Sequence, residues 1–386
     1  MSRKLRMGMI GGGTDAFIGA VHRKAAALDG EIELVSGAFS SDPQKSKETG
    51  QSLHLDPQRI YESYAQMIEK EKNLPADERI DFVSIVTPNH VHFEPAKMAL
   101  ENGFHVIIDK PLAFSVQEAK GLKKVVEKTG LILALTHTYT GYPLVKEARN
   151  AIATGKIGKV RKVYVEYPQG WLTIMKEKLG NKQADWRTDP KRSGPGGAIG
   201  DIGTHAANLA EYITGLEITE VNAMLNSVVK GRKIDDDASM LLRFNNGATG
   251  VLLATQVAAG EENNLNIRIY GEKGGMEWKQ EEPNTLIMKW LDRPKEIVRA
   301  GWFEYLSEAA KLNTRVPWGH PEGYFEAFAN IYMAFARAVR AFKPGKRIDP
   351  AKFDFPDVND GVRGMAFVET VIKSANSTRK WTQFKV

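Results

Sequence analysis

Met7-Gly8-Met9-Ile10-Gly11-Gly12-Gly13 carries an apolar run into three glycines, and Ala20–Leu28 behind it has the spacing of a helix. A strand, a glycine turn and a helix in that order make a cradle for a pyrophosphate. The glycines let backbone approach the phosphates, and the helix N-terminus offers unpaired N–H groups and the positive end of its dipole. The usual spacing is G-x-G-x-x-G. Gly11 and Gly13 fill the first two places, Ala16 falls on the third, and Gly19 is the better third glycine. That reading lengthens the turn by three residues, with Thr14-Asp15-Ala16-Phe17-Ile18 as the insertion. Gly11, Gly13, Phe17 and Ile18 are the candidate cofactor contacts here. A glycine motif alone can be a tight turn and nothing more. Its position at the head of a strand–helix series is what favours a dinucleotide.

That series runs through the first third of the chain. Arg6–Ile10, Ile32–Ala38, Phe82–Val86, His105–Ile108 and Leu131–Leu135 read as buried strands. Ala20–Leu28, Ser63–Lys72, Pro95–Asn102 and Val116–Lys128 read as helices between them. Strands that are apolar throughout, alternating with helices, predict a doubly wound parallel sheet covered on both faces. Past residue 135 the texture changes. Pro143–Thr154 reads as a helix, Val160–Tyr167 as a strand, and 168–200 as a long excursion rich in Gly, Pro, Lys and Trp. A helix over Asp201–Ile213 follows, with Gly215 just past its end. Six strands come next: Ile218–Met224, Ser239–Phe244, Thr249–Gln256, Leu265–Tyr270, Met276–Lys279 and Thr285–Lys289. Asn245-Asn246-Gly247 and Gly271-Glu272-Lys273-Gly274 read as hairpin turns, so this sheet should be mainly antiparallel. Helices over Tyr324–Phe342 and Gly361–Thr378 close the chain. The expected division is a Rossmann domain at 1–135 and a second α/β domain, with a large open sheet, at 136–386.

The second strand ends at Ala38-Phe39-Ser40-Ser41-Asp42. A ribose-binding acid belongs about twenty residues past the glycines, and Ser40 stands there instead. Asp42, before Pro43, reads as the cap of the next helix. Lys45 could meet a 2′-phosphate, although a solvated helix lysine is the plainer reading. NAD and NADP both stay open.

Three residues draw attention as chemistry. Lys110 precedes Pro111, which favours extended backbone, and so emerges at the carboxyl end of a strand, where ligands bind in such sheets. Its ammonium could stabilise alkoxide charge, or simply be solvated. Asp201 and His205 are spaced i, i+4, on one helix face. The carboxylate could orient an imidazole that takes a hydroxyl proton. Equally, Asp201 could cap the helix and His205 sit in a core. Tyr139 and Tyr142 follow the last Rossmann strand and could line a cleft. Trp171, Trp186 and Trp318 lie in loop-like sequence, where rings stack on sugars or seal a core edge. No HExxH or other metal spacing is present, so no metal is expected.

Composition agrees with this class. The chain has 386 residues, 42% hydrophobic and 26% charged, and no cysteine, which excludes disulfides and thiolate chemistry. The charge of +6 is interspersed, with no basic tract, so nucleic acid is not an expected partner. The apolar stretch behind Arg3, Lys4 and Arg6 is too short for a secretion signal, and no stretch could span a membrane. A cytoplasmic protein is expected.

Taken together, the motifs resemble those of the glucose–fructose oxidoreductase/inositol dehydrogenase (Gfo/Idh/MocA) family. Gly11–His22 is similar to its glycine loop and following histidine, Thr87-Pro88-Asn89-His90-Val91-His92 to its T-P-N-x-x-H, and Asp109-Lys110-Pro111 to its E-K-P. Asp201-Ile202-Gly203-Thr204-His205 matches its D-x-G-x-H, and Trp186-Arg187 also looks similar. The resemblance implies an NAD(P)-dependent oxidoreductase acting on a sugar, glycoside, anhydrosugar or inositol. It implies Lys110, Asp201 and His205 at the reacting carbon, with Tyr139, Tyr142 and Trp186 as further substrate contacts. Thr87, Pro88, Asn89, His92 and Asp109, with Ser40, would lie along the cofactor. A homodimer or homotetramer through the C-terminal sheet is implied as well. Three departures stand out: the longer glycine loop, Asp109 in place of glutamate, and Asn208 where many relatives have aspartate. The long 168–195 excursion tilts the expectation toward a glycoside or anhydrosugar. Two other functions fit the same residues: a glycosidase working by transient sugar oxidation, and a dinucleotide-binding sensor.

Overall fold

In the computed structural model, which describes residues 3–14, 16–346 and 348–386, the first five strands form one parallel sheet. They are β1 (Leu5–Gly11), β2 (Ile32–Ala38), β3 (Phe82–Val86), β4 (His105–Ile108) and β5 (Leu133–Leu135), in the order β2-β1-β3-β4-β5. Every pair is parallel, and β3, β4 and β5 are buried at every residue. β1 has β2 on one side and β3 on the other, so the chain reverses its winding there. The crevice beyond the carboxyl ends of strands at such a point is where open α/β sheets bind ligands. The glycine turn lies at that end of β1. Asp15 of the expected insertion lies outside the described residues.

Helix boundaries follow local chemistry. Asp42, Ser63 and Ser115 cap the helices Pro43–Ser52, Tyr64–Lys72 and Val116–Thr129 by accepting backbone N–H groups. Gly130 ends the last of them with φ 68°.

The chain divides into two compact units, and the division departs from a single cut after 135. The first unit is Met1–Thr138 with Tyr324–Val362, and the second is Tyr139–Gly323 with Arg363–Val386. The cause is the helix Tyr324–Ala341. Its buried Phe328, Ile331, Tyr332 and Phe335 share one apolar core with Met9, Val21 and Phe82. An amphipathic helix settles where its apolar face is covered, and here that is the first sheet.

In the second unit nine strands make one sheet. They are β6 (Val160–Pro168), β7 (Ile218–Asn226), β8 (Asp237–Phe244), β9 (Thr249–Thr255), β10 (Asn266–Gly271), β11 (Gly274–Lys279), β12 (Thr285–Trp290), β13 (Glu296–Arg299) and β14 (Thr382–Gln383). Their order is β13-β12-β11-β10-β6-β9-β8-β7-β14. The sheet is mainly antiparallel, as the hairpin turns predict, and β6 with β9 is its parallel pair. β13 and β14 were not legible in the sequence: one is largely exposed and the other two residues long. Among the described residues no helix is long and apolar enough to cross a membrane.

Candidate active site

The glycine turn is built by contact of backbone on backbone. Gly11 and Gly12 have φ of 81° and 71°, a region that other residues rarely enter. A Cβ on Gly19 would stand 2.4 Å from Gly12 Cα. Gly19 is therefore the glycine that lets the helix close on the strand. The helix begins at Phe17 rather than Ala20, so Phe17 and Ile18 form its first turn. Its start has no side-chain cap, unlike the three capped helices above, and no acid in the first turn. Arg23 reaches back from this helix and donates to Gly12 O at 2.6 Å, which buttresses the turn from within the protein. Uncapped N–H groups behind a glycine turn fit a dinucleotide pyrophosphate.

Ser40, at the end of β2, accepts a hydrogen bond from Asp42 N at 3.1 Å. The Asp42 carboxylate accepts from Gln44 N and Lys45 N. It is a helix cap, not a group held out toward a ribose.

Beyond β3, Thr87 carries a buried hydroxyl with no hydrogen-bond partner among the described residues. Pro88 is exposed and Asn89 half-buried. His92 is fully buried, with Nδ1 2.6 Å from Pro111 O and Nε2 2.8 Å from Thr87 O. Burial pushes this imidazole down, against the pull of Asp109 and of the two carbonyls that face it. Its polar atoms tie the loop after β3 to the loop after β4. Any effect of His92 on a cofactor therefore runs through those loops.

Asp109 and Lys110 follow β4, and the Lys110–Pro111 peptide is cis. Asp109 Oδ1 accepts from Lys110 N at 2.9 Å and from Thr136 Oγ1 at 2.8 Å. Burial alone would push this carboxyl up. His22, the charge of Lys110 and the Thr136 hydroxyl outweigh it and hold the group below the usual carboxylate range. His137 is buried beside Lys110, and burial with that positive charge pushes it down to about 3. It is a neutral ring at any working pH.

In the second unit, Asp201 lies in a π-helical turn, Ile199–Gly203, that leads into the α-helix Thr204–Thr214. The expected shared α-helical face is thus replaced by a wider turn at Asp201. The carboxylate makes no cap to the helix. It accepts from Gln256 Nε2 at 2.9 Å and lies 3.6 Å from Arg187 Nε. Asp235 clamps the glycine-rich approach: its carboxylate accepts from Gly197 N at 2.7 Å and Ile199 N at 2.8 Å, and its carbonyl from Ala198 N at 2.9 Å. A Cβ on Gly197 would overlap Asp235 O at 1.9 Å. This fit is what the glycines upstream of Asp201 provide.

His205 is buried, with the Tyr139 ring edge-on at 4.9 Å and Tyr167 at 6.5 Å. The Tyr139 and Tyr167 hydroxyls bond to each other. The run continues from Tyr167 to Asn263 at 2.8 Å and from Gln169 to Asn263 at 2.6 Å. Trp171 Nε1 donates to Gln169 at 3.0 Å, and Gln256 joins Gln169 to Asp201. Tyr142 is buried as well. Its ring is buried between Tyr139 and Trp278, one ring removed from His205. Trp186 lies on a short helix, Lys182–Arg187, not in a loop, and backs the Arg187 guanidinium at 4.3 Å.

Tyr167, Gln169, Asp235, Gln256 and Asn263 were not among the residues singled out from sequence. β6 and β9 run parallel in adjacent register, with Tyr167 opposite Ala254 and Pro168 opposite Thr255. Their carboxyl ends therefore deliver Tyr167, Gln169 and Gln256 to one edge. A chain read as successive hairpins gives no sign of that.

Comparison with known proteins agrees with this architecture. Residues 5–137 match the model of an oxidoreductase family with an NAD-binding Rossmann fold, and residues 145–277 that of the GFO/IDH/MocA C-terminal domain. The chain is 34% identical to an uncharacterized oxidoreductase, YfiI, of Bacillus subtilis, over 100% of this chain and 98% of that one. It is 28% identical to levoglucosan dehydrogenase of Pseudarthrobacter phenanthrenivorans, covering 74% and 76% of the two chains. The fold superposes with TM-score 0.94 and 35% identity on an inositol dehydrogenase homolog of Azotobacter vinelandii complexed with NAD+, over 100% and 98% of the chains. The complex of that homolog with NADH and myo-inositol gives TM-score 0.90 at 33% identity, over the same shares of the two chains.

Proposed function

The chain belongs to the Gfo/Idh/MocA family of oxidoreductases, and on that premise we propose that it interconverts a secondary hydroxyl and a ketone on a neutral cyclic polyol, an inositol or an anhydrosugar. The observation that carries the substrate class is the hydrogen-bonded run from Asp201 through Gln256, Gln169 and Asn263 to Tyr167 and Tyr139 beside His205. Amides and phenols each offer a donor and an acceptor, which suits a ring of hydroxyls. Relatives that act on levoglucosan or are complexed with myo-inositol support the same reading.

Gly11, Gly13, Phe17, Ile18, Thr87 and Asn89 would hold the dinucleotide, and its nicotinamide supplies the hydride acceptor, or the donor in reverse. His205 takes the hydroxyl proton. Asp201, fixed by Gln256 and Arg187, orients the hydroxyl and supports the charged imidazole. Lys110 donates to the substrate oxygen and stabilises its developing charge. The outward face of the sheet, with Met224, Leu241 and Leu253 exposed, is where copies of the chain would associate.

The test is a panel of inositols, anhydrosugars, sugars and glycosides with NAD and NADP in turn, followed by reduced-nicotinamide absorbance. Turnover of one polyol class, lost in His205→Ala and Lys110→Ala, is the expected result. A protein that binds neither dinucleotide would overturn the proposal. Release of an aglycone with no accumulated reduced cofactor would replace it with the glycosidase reading.

A further inference from the structure

His22 takes no part in the chemistry above, yet it is completely buried on the helix Phe17–Ala27. Its Nδ1 lies 2.8 Å from the Tyr332 hydroxyl, which lies 2.9 Å from Ser84 Oγ. Phe328 packs edge-on against the ring at 5.1 Å. Nε2 has no partner within hydrogen-bond distance among the described residues. It stands 3.9 Å from Asp109 Oδ1. A leucine would pack here without leaving a buried nitrogen unsatisfied. The polar ring therefore needs a reason.

The reason lies in the protonation it must adopt. An Nε2 lone pair facing a carboxylate would repel it, so Nε2 carries the proton. Tyr332 then donates to Nδ1 of the neutral ring and accepts from Ser84, or accepts from Nδ1–H of the charged ring. In both cases a fixed N–H points toward Asp109. Lys110 N and Thr136 Oγ1 meet the same oxygen. The charge of Asp109 is also felt by Lys110, His92, His137 and Tyr332.

We propose that His22 is a positioning residue: it keeps Asp109 an oriented carboxylate, and through Asp109 it sets the backbone and the electrostatics of Lys110. The inference rests on the reading of Lys110 as the group that holds the substrate oxygen. Its test is separable from that reading. Aspartate-selective 13C labelling, with Asp109 assigned from Asp109→Asn, reports the Asp109 titration with neither cofactor nor substrate present. In His22→Leu the Asp109 carboxyl should titrate about one unit or more higher. His22→Gln, which restores an N–H, should lie closer to the native protein, and Tyr332→Phe should shift in the same direction by less. In turnover, kcat of His22→Leu should fall about tenfold or more. Its acid limb should move to higher pH, because loss of the N–H favours the protonated acid. Dinucleotide affinity should change little.

An unchanged Asp109 titration in both His22→Leu and Tyr332→Phe overturns the inference, and Tyr332→Phe alone decides if His22→Leu does not fold. A shifted titration with native kcat and pH profile also overturns the positioning role. A shifted titration in a protein that oxidises no polyol would instead sink the functional reading.

Discussion

Gly19→Ala tests the construction of the glycine turn directly. The added Cβ would stand 2.4 Å from Gly12 Cα and 2.7 Å from Gly12 O, against about 3.5–4.0 Å for comfortable carbon contacts. Roughly 1 Å must be found, and both sides are backbone, so the helix must lift from the strand or the turn must deform. Overpacking of this kind costs about 1–3 kcal/mol. Alanine in place of a helical glycine offsets up to about 1 kcal/mol. The net loss should be about 1–2 kcal/mol, which lowers Tm by about 2–8 °C in a domain of roughly 150–250 residues. Binding should weaken as well, because the displaced turn and helix start no longer present their N–H groups together to a pyrophosphate. Calorimetric titration with NAD should therefore show at least a tenfold weaker Kd. Gly364→Ala is the control: it lies in a helix with nothing within 4 Å of its added Cβ, and should leave Kd alone and stability equal or higher. If Gly19→Ala binds NAD within about twofold of native and melts at the native temperature, the close contact of turn and helix is not what forms the cradle.

Two further outcomes follow from buried groups. Asp235→Asn turns an amide N–H toward a backbone N–H of Gly197 or Ile199, leaving a buried donor unmet at a cost of about 1–3 kcal/mol; kcat should fall at least tenfold while NAD binding stays native, and unchanged kcat would show that the Asp201 turn does not depend on this clamp. His105 accepts from Ile132 N at 3.0 Å, and burial pushes it down to about 4. The unfolded chain gains this proton near pH 6.5 and the folded protein only near pH 4. Stability is therefore full above about pH 6.5 and falls through that window, by roughly 3 kcal/mol at most. His105→Asn, which keeps an acceptor, should flatten the loss, and an unchanged pH–stability curve would refute the assignment.

The residues that sequence reading reached share a property: their chemistry needs short spacing. The glycine turn lies between consecutive elements, and Asp201 and His205 are one turn apart. Buried parallel strands announce themselves as apolar runs, so all five strands of the first sheet were found, with β5 shorter by two residues at its start. Periodicity cannot say what an amphipathic face packs against. The helix Tyr324–Ala341 was visible as a helix, but its place in the first unit was not. The same limit hid Asp235, whose partners are 36 and 38 residues away, and Gln256, which meets Asp201 across 55.

His22 shows how far this division between reacting and supporting groups extends. The residues facing a substrate must offer particular atoms in a particular order, and that order leaves a trace in sequence. The residues behind them must only fill space and settle a proton. Those of Asp109 come from three separate stretches: His22 on the first helix, Thr136 after β5, and Tyr332 on a helix more than 300 residues from His22. In this protein Lys110 N–H, Thr136 and His22 all converge on one oxygen of Asp109. Restoring the longer acid with Asp109→Glu should therefore push the carboxylate into His22 and Thr136 rather than improve the site.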